Sequence, residues 1–113
     1  MEKGDAMVDG VAGKLVRDGV PDRVRAAGGH RKFVVLSADS DFRRALVEKL
    51  HEEAEEVRRA SPDTVVEELG DVLEVVRSLA ALGGHAWDAV ERAAALKRRE
   101  RGALERRLWM ADD

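Results

Sequence analysis

The sequence predicts an all-α fold, an antiparallel helix bundle that oligomerisation completes. Charged residues make up 38% of the 113 positions and hydrophobic residues 44%, whereas aromatic residues make up only 4%. This balance is typical of amphipathic helices and not of a sandwich or barrel. Apolar residues also recur with the helical period over three long segments that end at glycine or proline signals. A chain of this length is one domain, and its small core favours burial against further copies.

The first third of the chain carries only weak signals. Residues 1–13 mix glycine, charge and small side chains without a period, so we expect a flexible N-terminal segment before a single domain at 14–110. Pro21 is expected to open a short helix through Ala27, where two glycines follow. Residues 32–37 are expected to form a short extended segment.

Three long helices are expected in the rest of the chain. The first covers about 40–60 and the second about 62–82, separated by a serine–proline turn. The third covers about 86–101 and ends at Gly102. Short turns at both junctions favour antiparallel neighbours. The tail at 104–110 is half apolar and is expected to pack as an extended arm.

The composition excludes several classes of function. The chain has no cysteine and only three histidines, which excludes thiolate chemistry and leaves oxygen ligands for any metal ion. The net charge of −3 gives no cationic field for nucleic acid. No apolar run approaches the ~20 residues that cross a bilayer. We therefore expect a cytoplasmic protein that binds neither nucleic acid nor membrane.

The first two long helices place acidic side chains on their apolar faces. At about 100° per residue, Glu53 and Glu56 fall in or beside the buried arc of the first helix. Glu68 falls within the apolar arc of the second helix and Asp71 at its edge. Each helix therefore offers an inward pair of carboxylates at i, i+3 spacing.

Four carboxylates in a partly desolvated interior repel one another unless cations compensate their charge. A divalent ion provides that compensation, and oxygen ligands from facing helices suit Mg²⁺ or Mn²⁺. The alternative is direct neutralisation by Lys49, Arg17 or the basic third helix through buried salt bridges. The pattern leaves both readings open.

Two cations end the apolar stripe of the third helix. Lys97 and Arg101 lie along the stripe, whereas the other arginines of this helix face outward. In one interpretation their stems cover apolar surface while their charges interact with the C-terminal end of the helix. Opposite a carboxylate–metal cluster, the same cations suit the outer oxygens of a polyphosphate.

These residues resemble the MazG-type all-α nucleotide pyrophosphohydrolase superfamily, which includes phosphoribosyl-ATP pyrophosphohydrolase and the dimeric dUTPases. The pattern is EExxE on one helix and ExxD on the next, here EEAEE at 52–56 and ELGD at 68–71. KLVRDGVP at 14–21 and ERGAL at 100–104 resemble the end motifs of a bacterial subgroup. The matches together span residues 14–108.

The resemblance implies an ion site and its catalytic neighbours. Glu52 would either support the metal ligands or orient the attacking water, and Lys49 would face phosphate. The implied catalytic set is Glu52, Glu53 and Lys49. The implied Mg²⁺ or Mn²⁺ ligands are Glu53, Glu56, Glu68 and Asp71.

The resemblance also implies substrate-phosphate contacts from Lys97 and Arg101, and it places Arg17 near the same phosphates. The chain departs from the subgroup at two places. Gly19 replaces a lysine, and residues 103–104 replace Gly-Phe. The base and sugar preference is therefore not implied.

The implied activity is hydrolysis of the α–β phosphoanhydride of a nucleoside triphosphate, which yields the monophosphate and pyrophosphate. One alternative is phosphoribosyl-ATP pyrophosphohydrolase of histidine biosynthesis, and another is a non-catalytic helical dimerisation or regulatory module. The wide apolar arcs and the resemblance imply a homodimer or a dimer of dimers, with sites near the subunit interface.

Overall fold

The structure, a computed structural model, describes residues 6–8 and 10–112. Within this part of the chain a short β-hairpin precedes four helices, so the predicted all-α architecture is confirmed. The strands are β1 (Ala6–Val8) and β2 (Val11–Gly13), and the helices are α1 (Val20–Ala26), α2 (Asp39–Arg59), α3 (Val65–Leu82) and α4 (Trp87–Arg101).

The long helices lie where the periodicity predicts them, with small shifts at their ends. The N-cap of α2 is Ala38. Helix α3 begins three residues after the expected proline, because the segment before it forms a turn in which the Ser61 backbone N–H donates to the Thr64 hydroxyl at 3.1 Å. Gly102 ends α4 with φ +87°, a conformation that favours glycine.

The hairpin lies in the N-terminal segment 1–13, of which residues 1–5 and 9 lie outside the described part of the chain. Strands β1 and β2 pair antiparallel, with Met7 opposite Ala12 and Val8 opposite Val11. Gly10 in the connection has φ +76°, which glycine adopts without strain. Periodicity did not predict a strand pair because three-residue strands are too short to show an alternation. The segment 32–37 contains no strand.

The core lies between α2 and α3. Leu46 of α2 and Val75 of α3 retain only 4% and 6% of their exposure, and Ala45 and Ala80 lie beside them. This contact is the largest between elements, and it confirms that the two acid-bearing helices are packed neighbours. Helix α4 packs on α3 less closely, and the Arg77 guanidinium lies 4.4 Å from the Trp87 ring centroid across that contact.

A single chain leaves much of its surface open. Its accessible area is 9742 Å², against about 6,100 Å² for a compact monomer of this mass. Its radius of gyration is 17.4 Å, against about 13 Å for a compact domain of this length. The core therefore covers only part of the apolar surface that the helices carry.

Exposed apolar side chains lie at several places in the described part of the chain, among them residues 33–35 before α2 and two further groups. One follows α3, where Val66, Leu69 and Leu73 are exposed. The other is the tail, where the side chains at 104 and 108–110 are also exposed. The arm expected at 104–110 therefore buries none of these four side chains against the described part of the chain. It is also not extended throughout, because the Arg107 backbone N–H donates to the Leu104 carbonyl at 3.2 Å and closes a turn. No helix in the described part of the chain is both long enough and apolar enough to cross a membrane.

Candidate metal centre

Three of the four predicted carboxylates converge between α2 and α3. Glu53, Glu68 and Asp71 each present one oxygen, and these three oxygens lie within 4.8 Å of one another. Glu53 is the buried member, with 8% of its surface exposed, whereas Glu68 and Asp71 are half-buried. Packing of α2 on α3 produces this convergence, because Glu53 lies two turns beyond the buried Leu46 on the same side of α2.

Two cations pair with the converging acids. The Arg17 guanidinium donates to Asp71 Oδ1 at 2.7 Å, and Lys49 Nζ lies 3.4 Å from Glu53 Oε1. The Arg17 side chain is 59% exposed, whereas that of Lys49 is 20% exposed. Lys49 therefore compensates the buried charge of Glu53 in a less hydrated position than Arg17 offers to Asp71.

Glu52 lies at the edge of the same cluster. Its Oε2 is 3.4 Å from Lys49 Nζ, and its Oε1 is 3.9 Å from Lys14 Nζ. Lys49 therefore bridges Glu52 and Glu53, which are adjacent on α2. The arrangement puts a partly buried carboxylate beside the three converging ones without making it a member of the group.

Acidic crowding shifts the protonation of Glu68. The pKa of Glu68 is raised above its ordinary value, first by desolvation and then by the charges of Asp71, Glu56, Glu53 and Glu67. A cation bound among these carboxylates therefore reduces the electrostatic repulsion between them. The pKa of Arg17 is also raised, chiefly by its hydrogen bond to Asp71.

The donor set fits a hard divalent ion. All three converging groups are carboxylates, and Mg²⁺ takes oxygen ligands at about 2.1 Å in an octahedron. Neighbouring ligands of such an octahedron lie about 3.0 Å apart and opposed ligands about 4.2 Å apart. The three oxygens, which lie within 4.8 Å of one another, are close to these separations.

The remaining glutamates of α2 divide into two groups. Glu56 is half-buried and its charge acts on Glu68, although it lies outside the group of three converging oxygens. Glu48 is exposed, and Glu55 binds Arg58 at 2.9 Å on its own helix. Within the EEAEE run, Glu55 pairs with a cation of its own helix and Glu56 acts on the cluster. Helical phase predicts a solvated Glu55, but its side chain is only 19% exposed.

The predicted phosphate-binding cations do not all reach the cluster. Arg17 does, through Asp71. Lys97 and Arg101 are exposed on α4, and in the part of the chain that the structure describes neither makes an ion pair or hydrogen bond with the acids of α2 or α3. Within one chain, α4 therefore does not close the site.

Periodicity could not identify Lys14 and Arg17 as neighbours of the acids. They lie before α1, more than thirty positions from Glu52 and Asp71, in a segment without a repeating pattern. The signal that does point to them is the KLVRDGVP motif, which contains both residues.

Comparison with known proteins gives one match. The model of a family described as the MazG nucleotide pyrophosphohydrolase domain matches residues 39–103, more than half of the chain. The matched segment contains both acid-bearing helices and the whole of α4. No curated protein and no solved structure matches the chain.

Proposed function

The chain belongs to the MazG nucleotide pyrophosphohydrolase family, and we propose that it is a Mg²⁺-dependent nucleoside triphosphate pyrophosphohydrolase. Water attacks the α-phosphorus, the bond from that phosphorus to the α–β bridging oxygen breaks, and the monophosphate and pyrophosphate leave. The observation that carries the proposal is the convergence of Glu53, Glu68 and Asp71 within the matched segment.

The carboxylates of α2 and α3 hold the ion, with Mn²⁺ as a possible substitute for Mg²⁺. When bound, the ion lowers the pKa of a coordinated water and offsets charge on the substrate phosphates. Glu56 reaches the ion by a rotation of its side chain, which its position one turn beyond Glu53 allows. The proposed ligands are Glu53, Glu56, Glu68 and Asp71.

Glu52 acts on the attacking water, and Lys49 acts on a substrate phosphate. Glu52 is next to a ligand in sequence and is partly buried, with 17% of its side chain exposed, so its carboxylate accepts a hydrogen bond from the attacking water and orients it. Lys49 lies within 3.4 Å of Glu52 and Glu53. Once an ion neutralises Glu53, the Lys49 ammonium is available to a phosphate oxygen.

The remaining cations bind the outer phosphates of the substrate. Arg17 already lies at the edge of the cluster through its contact with Asp71, and Lys97 and Arg101 end the apolar stripe of α4. Their charge compensates the leaving pyrophosphate. Lys97 and Arg101 reach this position in an assembly of more than one chain, since a single chain does not bring them to the acids.

A homodimer, or a dimer of dimers, is the assembly that we propose. The accessible area of 9742 Å² exceeds that of a compact monomer by about 60%, and an interface between copies removes part of that excess. A cytoplasmic location, expected from the sequence, stays a prediction.

A non-catalytic helical module is the rival interpretation, and a specific contact favours it. The Arg17–Asp71 bond of 2.7 Å and the Lys49–Glu53 pair already compensate two of the three converging acids without an ion. In this interpretation the acids serve only to form these ion pairs, and the cluster is a structural salt-bridge network without a metal ion.

Thermal unfolding with and without Mg²⁺ separates the two interpretations. An ion that binds the folded state raises the free energy of unfolding by about 2.7 kcal/mol at one hundred times its dissociation constant. We expect the midpoint to rise with MgCl₂ and to return with EDTA, while NaCl of equal ionic strength has no such effect. Equal midpoints with MgCl₂ and NaCl favour the salt-bridge network.

Hydrolysis assays identify the substrate. Pyrophosphate release is measured with Mg²⁺ for each common ribo- and deoxyribonucleoside triphosphate and for phosphoribosyl-ATP. We expect release from one or more triphosphates, together with the matching monophosphate. Exclusive cleavage of phosphoribosyl-ATP assigns the chain to histidine biosynthesis instead, and no release from any of them, in a protein that Mg²⁺ does not stabilise, supports the non-catalytic module.

A further inference from the structure

The segment after α4 is ordered by its own contacts but buries none of its large apolar side chains. It leaves the helix at Gly102, and the Arg98 guanidinium binds Glu105 at 2.9 Å. The arm, residues 104–110, nevertheless exposes 94% of Leu104, 92% of Trp109 and 93% of Met110. Large exposed apolar groups in a held conformation mark a surface that another molecule covers.

A second unpartnered surface runs along α3. Val66, Leu69 and Leu73 share one side of the helix and are 74%, 51% and 45% exposed. We name these three residues the α3 stripe. The arm turns at 104–107, and the residues from 107 to 110 span up to about 13 Å, whereas the α3 stripe rises about 10 Å along its helix. One arm is therefore long enough to cover the whole stripe.

Gly70 provides an independent indication of close approach at this stripe. A glycine inside a helix costs about 1 kcal/mol relative to alanine. Gly70 is exposed beside the stripe, and a Cβ placed on it would meet no atom within 4 Å. No described residue of this chain therefore occupies the space that the missing side chain leaves, and an approaching backbone would fit there.

Charge identifies the partner of the stripe. Helix α3 carries four acidic residues and one cation, and Glu67 and Glu74 stand exposed on the Gly70 side of the stripe. Two copies of α3 would therefore each bring Glu67 and Glu74 to a shared contact, with Arg77 as the only cation of the helix to oppose them. The segment 97–110 carries six cations and two glutamates in a chain of net charge −3, so it complements α3.

We propose that the arm of one copy docks on the α3 stripe of a second copy. The apolar side chains of the arm cover Val66, Leu69 and Leu73, its backbone passes over Gly70, and Arg106 and Arg107 face the acidic border of the stripe. The exchange is reciprocal, so each dimer has two such contacts. The proposal does not depend on the ion or on the hydrolytic activity.

Cysteine cross-linking tests the docking directly, because the chain has no cysteine of its own. Leu69→Cys and Leu108→Cys are made in separate chains of different tag length, mixed and oxidised. A disulfide requires Cα atoms within about 7 Å, so the expected product is the mixed dimer. As a matched control, Val35→Cys, at a site that is 88% exposed, replaces Leu69→Cys and is expected to give little mixed dimer.

Three results of this experiment overturn the proposal. A dominant Leu69→Cys homodimer means that α3 packs on α3. An intrachain disulfide in the dilute double variant means that the arm folds back on its own chain. A mixed yield no higher than that of the Val35→Cys control means that a different molecule, or none, covers the stripe.

A charge exchange provides a second readout by sedimentation equilibrium. Arg106→Glu with Arg107→Glu is expected to weaken self-association at least about tenfold, since it opposes like charges across the contact. Adding Glu67→Lys and Glu74→Lys to the same chain is expected to restore it. Association that the first pair leaves unchanged, or that the second pair does not restore, contradicts the assigned contact. Circular dichroism confirms that each variant keeps its helices.

Discussion

The α2–α3 pair and helix α4 differ in how far a single chain buries their side chains and brings their charged groups together. Between α2 and α3, Leu46 and Val75 are buried and three carboxylates converge around the buried Glu53. Helix α4 has no buried residue in the structure, and its cations Lys97 and Arg101 contact none of these acids. The first region is a packed pair of helices with an almost formed site, and the second is a surface without its partner.

The difference shows that position in the fold, rather than composition, decides which charged residues act together. Both regions are rich in charge. Packing of α2 on α3 limits the rotamers of the acids and removes part of their hydration, which is why the pKa of Glu68 is raised. The arginines of α4 remain hydrated, so their ion pairs with Asp88 and Glu105 contribute little to stability. A partner chain is expected to change the second region far more than the first.

The largest expected effect is loss of the converging acids. Glu53→Gln or Asp71→Asn removes a proposed ligand charge, and we expect pyrophosphate release to fall by more than about 100-fold, beyond the loss typical of groups that only support a ligand. Steady-state assays with Mg²⁺ measure it. Glu48→Gln, on an exposed site of the same helix, is the matched control and should retain activity. Activity retained in both ligand variants would remove the metal assignment.

The next largest effect is a difference in the free energy of unfolding between truncations of a buried and an exposed leucine. Leu46→Ala leaves a cavity between α2 and α3, and we expect a loss of about 2–5 kcal/mol in the free energy of unfolding. Leu108→Ala, at an exposed site of the arm, should change it by less than about 0.5 kcal/mol while the chain is monomeric. Urea unfolding at low protein concentration measures both. Similar losses in the two variants would show that the arm already packs within its own chain.

The smallest effect is a pH dependence that originates at Glu68. Because the folded-state pKa of Glu68 is raised, its contribution to stability is present below the unfolded pKa and is lost as pH rises through the folded pKa. Mg²⁺ needs the ionised carboxylate, so the stabilisation by Mg²⁺ should grow over the same rise, with an affinity change of at most about tenfold per pH unit.

Melting curves with and without Mg²⁺, recorded from about pH 4.3 to neutrality, measure this growth. Glu68→Gln should flatten the dependence, whereas the exposed-site control Glu48→Gln should keep it. A stabilisation by Mg²⁺ that is constant across the range would exclude Glu68 as a ligand.

Helical phase was enough to predict the packed region. It placed Glu53, Glu68 and Asp71 on inward faces and Glu48 on the outside, because a helix of known period relates every side chain to the apolar stripe. Helical phase gives no information about the described residues before α1, because they lie outside any helix. The contacts of Lys14 with Glu52 and of Arg17 with Asp71 join distant parts of the chain, so only the resemblance to a family motif pointed there.

Local spacing and composition thus specify the helices, the inward acids and the hard-ion chemistry that their oxygens suit. Spacing and composition are sufficient for these features because each feature depends on interactions within a few residues of each side chain. Three-dimensional packing decides which acids meet, that Arg17 binds Asp71 at 2.7 Å, and that Lys97 and Arg101 stay apart from them. These outcomes depend on how helices cross and which faces stay uncovered, and no local pattern encodes that.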